Sequence, residues 1–364
     1  MKKKFLALLL MSALTVSAIT GCGSTKTEEP ASTDEKSATT SDPSADTSTD
    51  SAPSDATYNL IAGHTLPDAH PYNLGLVKMG DLMKEKSNGQ LSLDVFGNAQ
   101  LGSERDLIEG LQLGSVQITC ISTAPLSGFT DMFLVFDLPF LFETTEQARA
   151  VLDSEVGEEI LNSVKDQGLI GLTWFENGFR NITNSKKPIE KPEDLKGMKI
   201  RTMENQMHMA AFQAMGADPT PMAMGEVFTA LQQGTIDGQE NPVPIIDTNK
   251  FYEVQKYTSL TGHLFSPAPV FIGMDYFSSL PADLQTIVLE SAEEAKPYQR
   301  EQIDAQNVSG LENLTANGME INDPDKALFK EATKSIYDEY IKDGAGFVSP
   351  DVYSRVQEVI ATAK

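Results

Sequence analysis

The residues best suited to chemistry cluster in the segment 195–242, LKGMKIRTMENQMHMAAFQAMGADPTPMAMGEVFTALQQGTIDGQENP. Arg201 closes a strand-like run over 198–202, and its planar guanidinium offers a fork of donors that matches a carboxylate. A helical stretch rich in Ala and Met follows, then a Pro-rich turn, a second helix ending at Gly234 and the polar block DGQENP. Asn241 in that block precedes Pro242, which confines it to an extended or turn backbone. No nucleophile and no metal cluster shares the segment. The chain also carries no G-x-S-x-G, H-E-x-x-H, P-loop or EF-hand signature. These are the parts of a pocket that holds a carboxylate without reacting on it. Neither cofactor nor metal is expected.

Other candidates compete with ordinary structural roles. Trp174 is the only Trp; a strand aromatic belongs by default to a core, but its closeness to Arg180 also suits a cleft wall. His64, Asp68 and His70 form H-x3-D-x-H, which suits zinc less well than a loop edge bounded by Pro67 and Pro71. The methionines from Met203 to Met224 read as adaptable core.

The elements that must position these groups alternate between strand and helix. Runs at 58–63, 91–96, 116–121 and 169–175 read as strands, and 71–86 has helical spacing. Ser103 with Asp106 resembles a capping box opening a helix to Gly114, and Thr144 with Gln147 opens another ending near Gly168. This order argues for an α/β fold with largely parallel sheets, in which ligands sit beyond the carboxyl ends of strands. A helical pattern from Pro281 to about residue 314 is long enough to bridge two lobes, with Pro297 expected to kink it. Residues 327–342 and 351–363 read as terminal helices.

The N-terminus reads as export and anchoring. Lys2, Lys3 and Lys4 precede a 12-residue apolar run, 5–16, too short to span a bilayer. Ile19-Thr20-Gly21-Cys22 then fits a lipobox, with Cys22 the lipidated residue. Residues 23–57 carry eight acids against two Lys and no aliphatic side chain larger than Ala, the composition of an unfolded tether. Cys120 is left as a lone buried thiol. The net charge of −24 excludes nucleic acid and anionic membrane surfaces as partners.

Several long stretches together resemble one family. QLGSERDLIEGLQLGSVQI, WFENGFRNITNSKKPIEKPEDLKGMKIR, MGADPTPMAMGEVFTALQQGTIDGQENP and KFYEVQKYTSLTGH occur in the order found in solute-binding proteins of tripartite ATP-independent periplasmic (TRAP) transporters, of the C4-dicarboxylate and sialic-acid branch. The resemblance implies a two-lobe periplasmic-binding-protein-like α/β fold, with crossing inter-lobe strands and a long lobe-spanning helix. The ligand lies in the cleft and the lobes close over it. It puts the carboxylate-binding arginine at Arg201, a second at Arg180, a pocket amide at Asn241, and a polyol contact at Glu104. Ser122 stands where sialic-acid members carry an acid, a departure that counts against sialic acid itself. His64 occupies a place where members contact ligand.

The resulting organisation is a lipoprotein signal peptide (1–21), an acidic tether (22–57), lobe I (58–177 and 267–306) and lobe II (178–266 and 307–364). The expected function is extracytoplasmic capture of a small organic acid and delivery to a membrane permease, from a lipid anchor on the cell membrane. Two alternatives use the same residues: an extracellular sugar-acid lyase or isomerase with Glu104 or Glu204 beside Arg201, and a ligand-sensing partner of a membrane receptor.

Overall fold

A computed structural model describes residues 57–363. The signal peptide, Cys22 and nearly all of the tether fall outside the described residues. Nine strands form one sheet: β1 (Tyr58–Gly63), β2 (Leu91–Phe96), β3 (Ile118–Cys120), β4 (Leu169–Asn184), β5 (Lys199–Thr202), β6 (Asp218–Pro221), β7 (Gly238–Pro242), β8 (Tyr257–Gly273) and β9 (Glu320–Asn322). Their order is β2-β1-β3-β8-β4-β7-β5-β6, with β9 on β8. The short strands β1, β2 and β3 make one flank, and β5, β6 and β7 the other. β4 and β8, of 16 and 17 residues, run antiparallel through the middle and belong to both flanks. This is the mixed α/β, two-lobe architecture, with the two long strands as its crossing elements.

The sheet is mixed rather than largely parallel. Within each flank the pairs β1–β2, β1–β3, β5–β6 and β5–β7 are parallel, while every pairing to β4, and that of β3 to β8, is antiparallel. Local pattern explains the misreading. Only the apolar stretches 169–175 and 270–274 look like buried strand; the rest of β4 and β8 holds Asn, Thr, Ser and His, which are buried here because other elements cover them. The expected Pro-rich turn at 218–221 is strand β6, and the last five residues of the DGQENP block are strand β7.

The long helix Ala282–Ala316 is continuous through Pro297. Its Leu284 and Leu314, near opposite ends, pack in one apolar core with Leu60 and Met79 of the first flank and Val227 and Ile246 of the second. Burying both ends fastens the helix across both lobes. Helix starts follow local chemistry. Ser103 and Asp106 form the reciprocal capping box that opens Glu104–Leu113. The region read as a helix from Thr144 to Gly168 is two helices, Thr145–Leu152 and Glu155–Asn162, separated by the Ser154 cap. Residues 327–342 likewise divide into Lys326–Ala332 and Ser335–Tyr340.

Candidate functional site

The ends of β3, β5 and β7 and the interior of the long β4 bring the site together. Arg201 is the third residue of the four-residue β5, paired with Gln239 of the parallel β7. Glu240 and Asn241 lie at the carboxyl end of β7, and β4 brings Arg180 opposite Pro242. Ser122 lies just past β3. The helix after β5 is fixed by Asn205, whose Oδ1 accepts from the Met207 and His208 amides at 2.9 and 3.1 Å, so the chain leaving Arg201 turns at a defined place.

Arg180 is fully buried. Its Nε donates to Glu240 Oε2 at 2.5 Å, and its Nη2 donates to Glu240 Oε1, the Glu240 carbonyl and Asn241 Oδ1 at 2.8, 2.7 and 2.9 Å. Nη1 has no partner. Two of the three guanidinium nitrogens are therefore pinned and the Nη1 edge remains open. Glu240 is completed by His263 Nε2 at 3.1 Å. Burial alone would raise the Glu240 pKa, but the Arg180 charge and the His263 and Arg180 hydrogen bonds hold it well below the usual carboxylate range. Burial lowers the His263 pKa, opposed by its bond to Glu240.

Arg201 is held more loosely. Its Nε and Nη2 both donate to the Met222 carbonyl, at 2.9 and 2.6 Å, and among the described residues no carboxylate pairs with it directly. Burial is the largest influence on its pKa, which falls to about 10; the carboxylates of Glu240 and Glu104 oppose that fall and the Arg180 charge adds to it. It stays cationic at neutral pH. A buried cation with only a carbonyl partner is costly unless another anion arrives.

Glu104 occupies the first helical position after the Ser103 cap and accepts from the Ser122 amide at 2.7 Å. Burial raises its pKa, while the Ser122 bonds and the charges of Arg201 and Arg180 pull the other way. Arg180, Arg201, Glu104, Ser122 and Asn241 thus come together. Tyr72, absent from the sequence reading, joins them. Its hydroxyl is buried beside Ser122 with no well-formed hydrogen bond, and burial, Cys120 and Glu104 raise its pKa well above the usual value, opposed by Ser122 and the Arg180 charge. Asn177, three residues before Arg180, and Ser266, opposite Gly178, also bury unpartnered polar atoms. Each such group costs about 1–3 kcal/mol. Tyr72 is close enough to Glu104 and Arg180 to feel both charges, and its unpartnered hydroxyl is the kind of group a polar ligand would satisfy.

Two candidates stand elsewhere. Trp174 is a core residue: its ring packs against Phe133 and Phe136, and its indole N–H donates to the Gly157 carbonyl at 3.1 Å. The cleft-wall role is replaced by packing. His64 faces its own loop, with Nε2 3.2 Å from Asn73 Oδ1 and Nδ1 accepting from the Leu66 amide. Both ring nitrogens are engaged there. His70 caps the helix Pro71–Lys86 through the Tyr72 amide. Among the described residues no group of three His, Cys, Asp or Glu is arranged to hold a metal ion, and no helix is long and apolar enough to cross a membrane.

Glu240 and His263 were also missed as site residues, although Glu240 lies inside DGQENP. A buried glutamate between two arginines has no local sequence signal, because its partners come from other strands.

Comparison with known proteins agrees with this geometry. Residues 62–343 match the family described as bacterial extracellular solute-binding protein, family 7 (DctP). A solute-binding protein of Verminephrobacter eiseniae is 42% identical over 261 residues, covering 71% of this chain and 78% of that protein. The 2,3-diketo-L-gulonate-binding periplasmic protein YiaO of Escherichia coli is 35% identical over 290 residues, covering 79% and 88%. The crystal structure of the sugar acid binding protein DctPAm from Advenella mimigardefordensis in complex with galactonate superposes with a TM-score of 0.82 at 33% identity, covering 85% of this chain and 99% of that one.

Proposed function

The chain belongs to the DctP family of TRAP solute-binding proteins, and from that premise we propose that it captures a polyhydroxylated monocarboxylate, a sugar acid, for delivery to a membrane permease. The family and its structural neighbours are transport proteins rather than enzymes, so the lyase or isomerase alternative falls away.

The carrying observation is the open edge of Arg180. Its Nη1 is buried and unpartnered while Glu240 and Asn241 fix the rest of the group. A ligand carboxylate between Nη1 and the loosely held Arg201 supplies the missing anion, in charge-assisted bonds that are stronger than neutral ones. Beside them stand Glu104, Ser122 and Tyr72. Hydroxyl groups satisfy these donors and acceptors together. A second carboxylate would meet Glu104 instead, with no further arginine among the named residues to receive it. This reading favours a sugar acid over a C4-dicarboxylate, and galactonate and 2,3-diketo-L-gulonate, the ligands named for two relatives, have the same chemistry.

The ligand would bridge residues of both lobes, 58–177 with 267–306 and 178–266 with 307–364, and so favour their closure. Ile19-Thr20-Gly21-Cys22 supports lipid anchoring at Cys22 on the outer face of the cell membrane; Cys22→Ser should then release the protein from the membrane fraction. A thermal-shift screen of aldonates, uronates and C4-dicarboxylates tests the ligand class. A true ligand at 100 times its dissociation constant adds about 2.7 kcal/mol of stability. Stabilisation by succinate or malate, with none by any sugar acid, would overturn the assignment.

A further inference from the structure

A second cavity lies behind Arg180, outside the carboxylate site. It is an open groove of about 600 Å³, within the usual range for small-molecule sites. Successive residues of a strand face opposite ways. Phe179 and Asn181 of β4 line the groove, whereas Arg180 between them turns to Glu240. One strand therefore separates the two sites.

The floor is irregular where it meets β8. The β4–β8 register slips between Arg180 and Ile182, and Asn181 Oδ1 accepts from the Gly262 amide at 3.1 Å. Gly262 has φ 52°, and a Cβ there would lie 3.5 Å from Lys326 Nζ and 4.0 Å from the Phe179 ring. Glycine keeps this part of the floor open and meets a backbone angle that side chains rarely adopt.

The walls are apolar and the rim is cationic. Phe140, Phe142 and Leu311 supply walls. Lys326 and Lys330 stand at the rim with Glu143, two cations against one acid in a chain of net charge −24. Lys330 pairs with Glu143 at 2.9 Å, but both are more than half exposed, and such pairs exchange readily for a better partner. The only ion-pair neighbour of Lys326 among the described residues is Asp323, at 4.0 Å. An apolar cavity with a local positive rim on an acidic protein selects one chemistry.

We propose that this groove binds a small amphipathic monoanion, an apolar or aromatic body carrying a single carboxylate, and that its occupancy changes affinity at the sugar-acid site. Three chain passages that link the lobes bound the groove: β4, β8 and the long helix through Leu311. An occupant fixes their spacing and so biases the lobe arrangement. A direct link exists as well. The Phe140 amide, on a residue held at φ 58°, donates to the His263 carbonyl at 2.8 Å, and His263 supports Glu240 and hence Arg180. The coupling rests on the sugar-acid reading; binding in the groove does not.

The test uses 8-anilinonaphthalene-1-sulfonate fluorescence on the full chain, with octanoate and neutral octanamide as competitors. The expected result is saturable binding at one site, displaced by octanoate and not by octanamide. Binding should weaken about tenfold or more in Lys326→Glu/Lys330→Glu and in Leu311→Trp, and persist in Arg201→Lys. The lysine variant alters only exposed positions, so it remains informative if the tryptophan variant fails to fold. Equal displacement by the amide, indifference to the lysine variant, or loss of the probe in Arg201→Lys would overturn the groove as the site. A concentration-dependent dimer in light scattering that excludes the probe would make the occupant a second copy and equally overturn it. Octanoate and galactonate must then alter each other's affinity by the same factor. Probe binding with no such coupling removes the regulatory half, and failure of every sugar acid to bind is scored separately as failure of the functional reading.

Discussion

Two buried glutamates on this sheet are each gripped by arginine, and they end differently. Glu176 lies on β4 at one register slip, and Glu240 on β7 beside another. Glu176 receives Arg149 Nε and Nη2 at 2.8 Å each and lies 2.9 Å from Arg300 Nε. Its amide donates to Gln299 Oε1, and Gln299 Nε2 donates back to its carbonyl. Arg149 goes on to Asp304, and Arg300 to Asp153. That network ties β4 to the long helix, each arginine passing from Glu176 to a further acid. The Glu240 network stops at Arg180 Nη1, and beyond it stand Arg201 and a group of unpartnered polar atoms. Similar charge chemistry thus makes a fastening where one carboxylate is shared by two arginines that each pair with a second acid, whereas the Glu240 network is left open at a fully buried, unpartnered Arg180 nitrogen.

Breaking the Glu176 network should have the largest effect on folding stability. Glu176→Ala leaves two arginines without their shared acid and should cost about 3 kcal/mol of folding stability, the lower end for a broken buried pair because Arg149 is partly exposed. Affinity of the folded fraction for a sugar acid should change little. Chemical denaturation with calorimetry on the same samples measures both, and a large affinity loss at unchanged stability would reverse the two roles.

Breaking the open network should do the opposite. Arg201→Lys keeps the cation but loses the planar fork, and should weaken ligand binding by about 2–4 kcal/mol. Stability without ligand should fall by under about 1 kcal/mol, since the guanidinium bonds only the Met222 carbonyl. A stability loss exceeding the affinity loss would make Arg201 a structural residue.

The Glu240 network also responds to acid. The folded-state pKa of Glu240 lies below its ordinary 4.5, so its ionised form stabilises the fold above that pH. The contribution is lost progressively as pH falls from there toward the depressed value. Below about pH 4.5 wild type should therefore lose stability more steeply than Glu240→Gln; parallel pH profiles would show that the pair does not carry this dependence.

The smallest effect should come from the aromatic that sequence alone left near the cleft. Trp174→Phe removes one buried hydrogen bond, leaving the Gly157 carbonyl without that donor. It should cost about 1–3 kcal/mol of stability and leave ligand affinity unchanged. A tenfold affinity change would return Trp174 to the cleft wall.

Legibility followed range. Features set within a few residues were readable: the capping box at Ser103, the helix Pro71–Lys86, the strand bearing Arg201 and the long helix from Ala282. The polar halves of β4 and β8 were not, because hydrophobic period cannot report a strand whose Asn, Thr and Ser are buried by distant elements. Glu240, His263 and Tyr72 were hidden for a related reason, since each meets its neighbours only across elements distant in sequence. Arg180 was visible through family resemblance, but the open edge that distinguishes it required coordinates.

The most direct test of the account is titration calorimetry of wild-type protein with galactonate and with galactonamide, which differs only in lacking the anionic head. The account predicts saturable binding of the acid, and loss of at least about 2 kcal/mol for the amide, because it leaves Arg180 Nη1 and Arg201 without an anion. Equal affinity for the two would contradict it, since the guanidiniums would then not be what the ligand is held by.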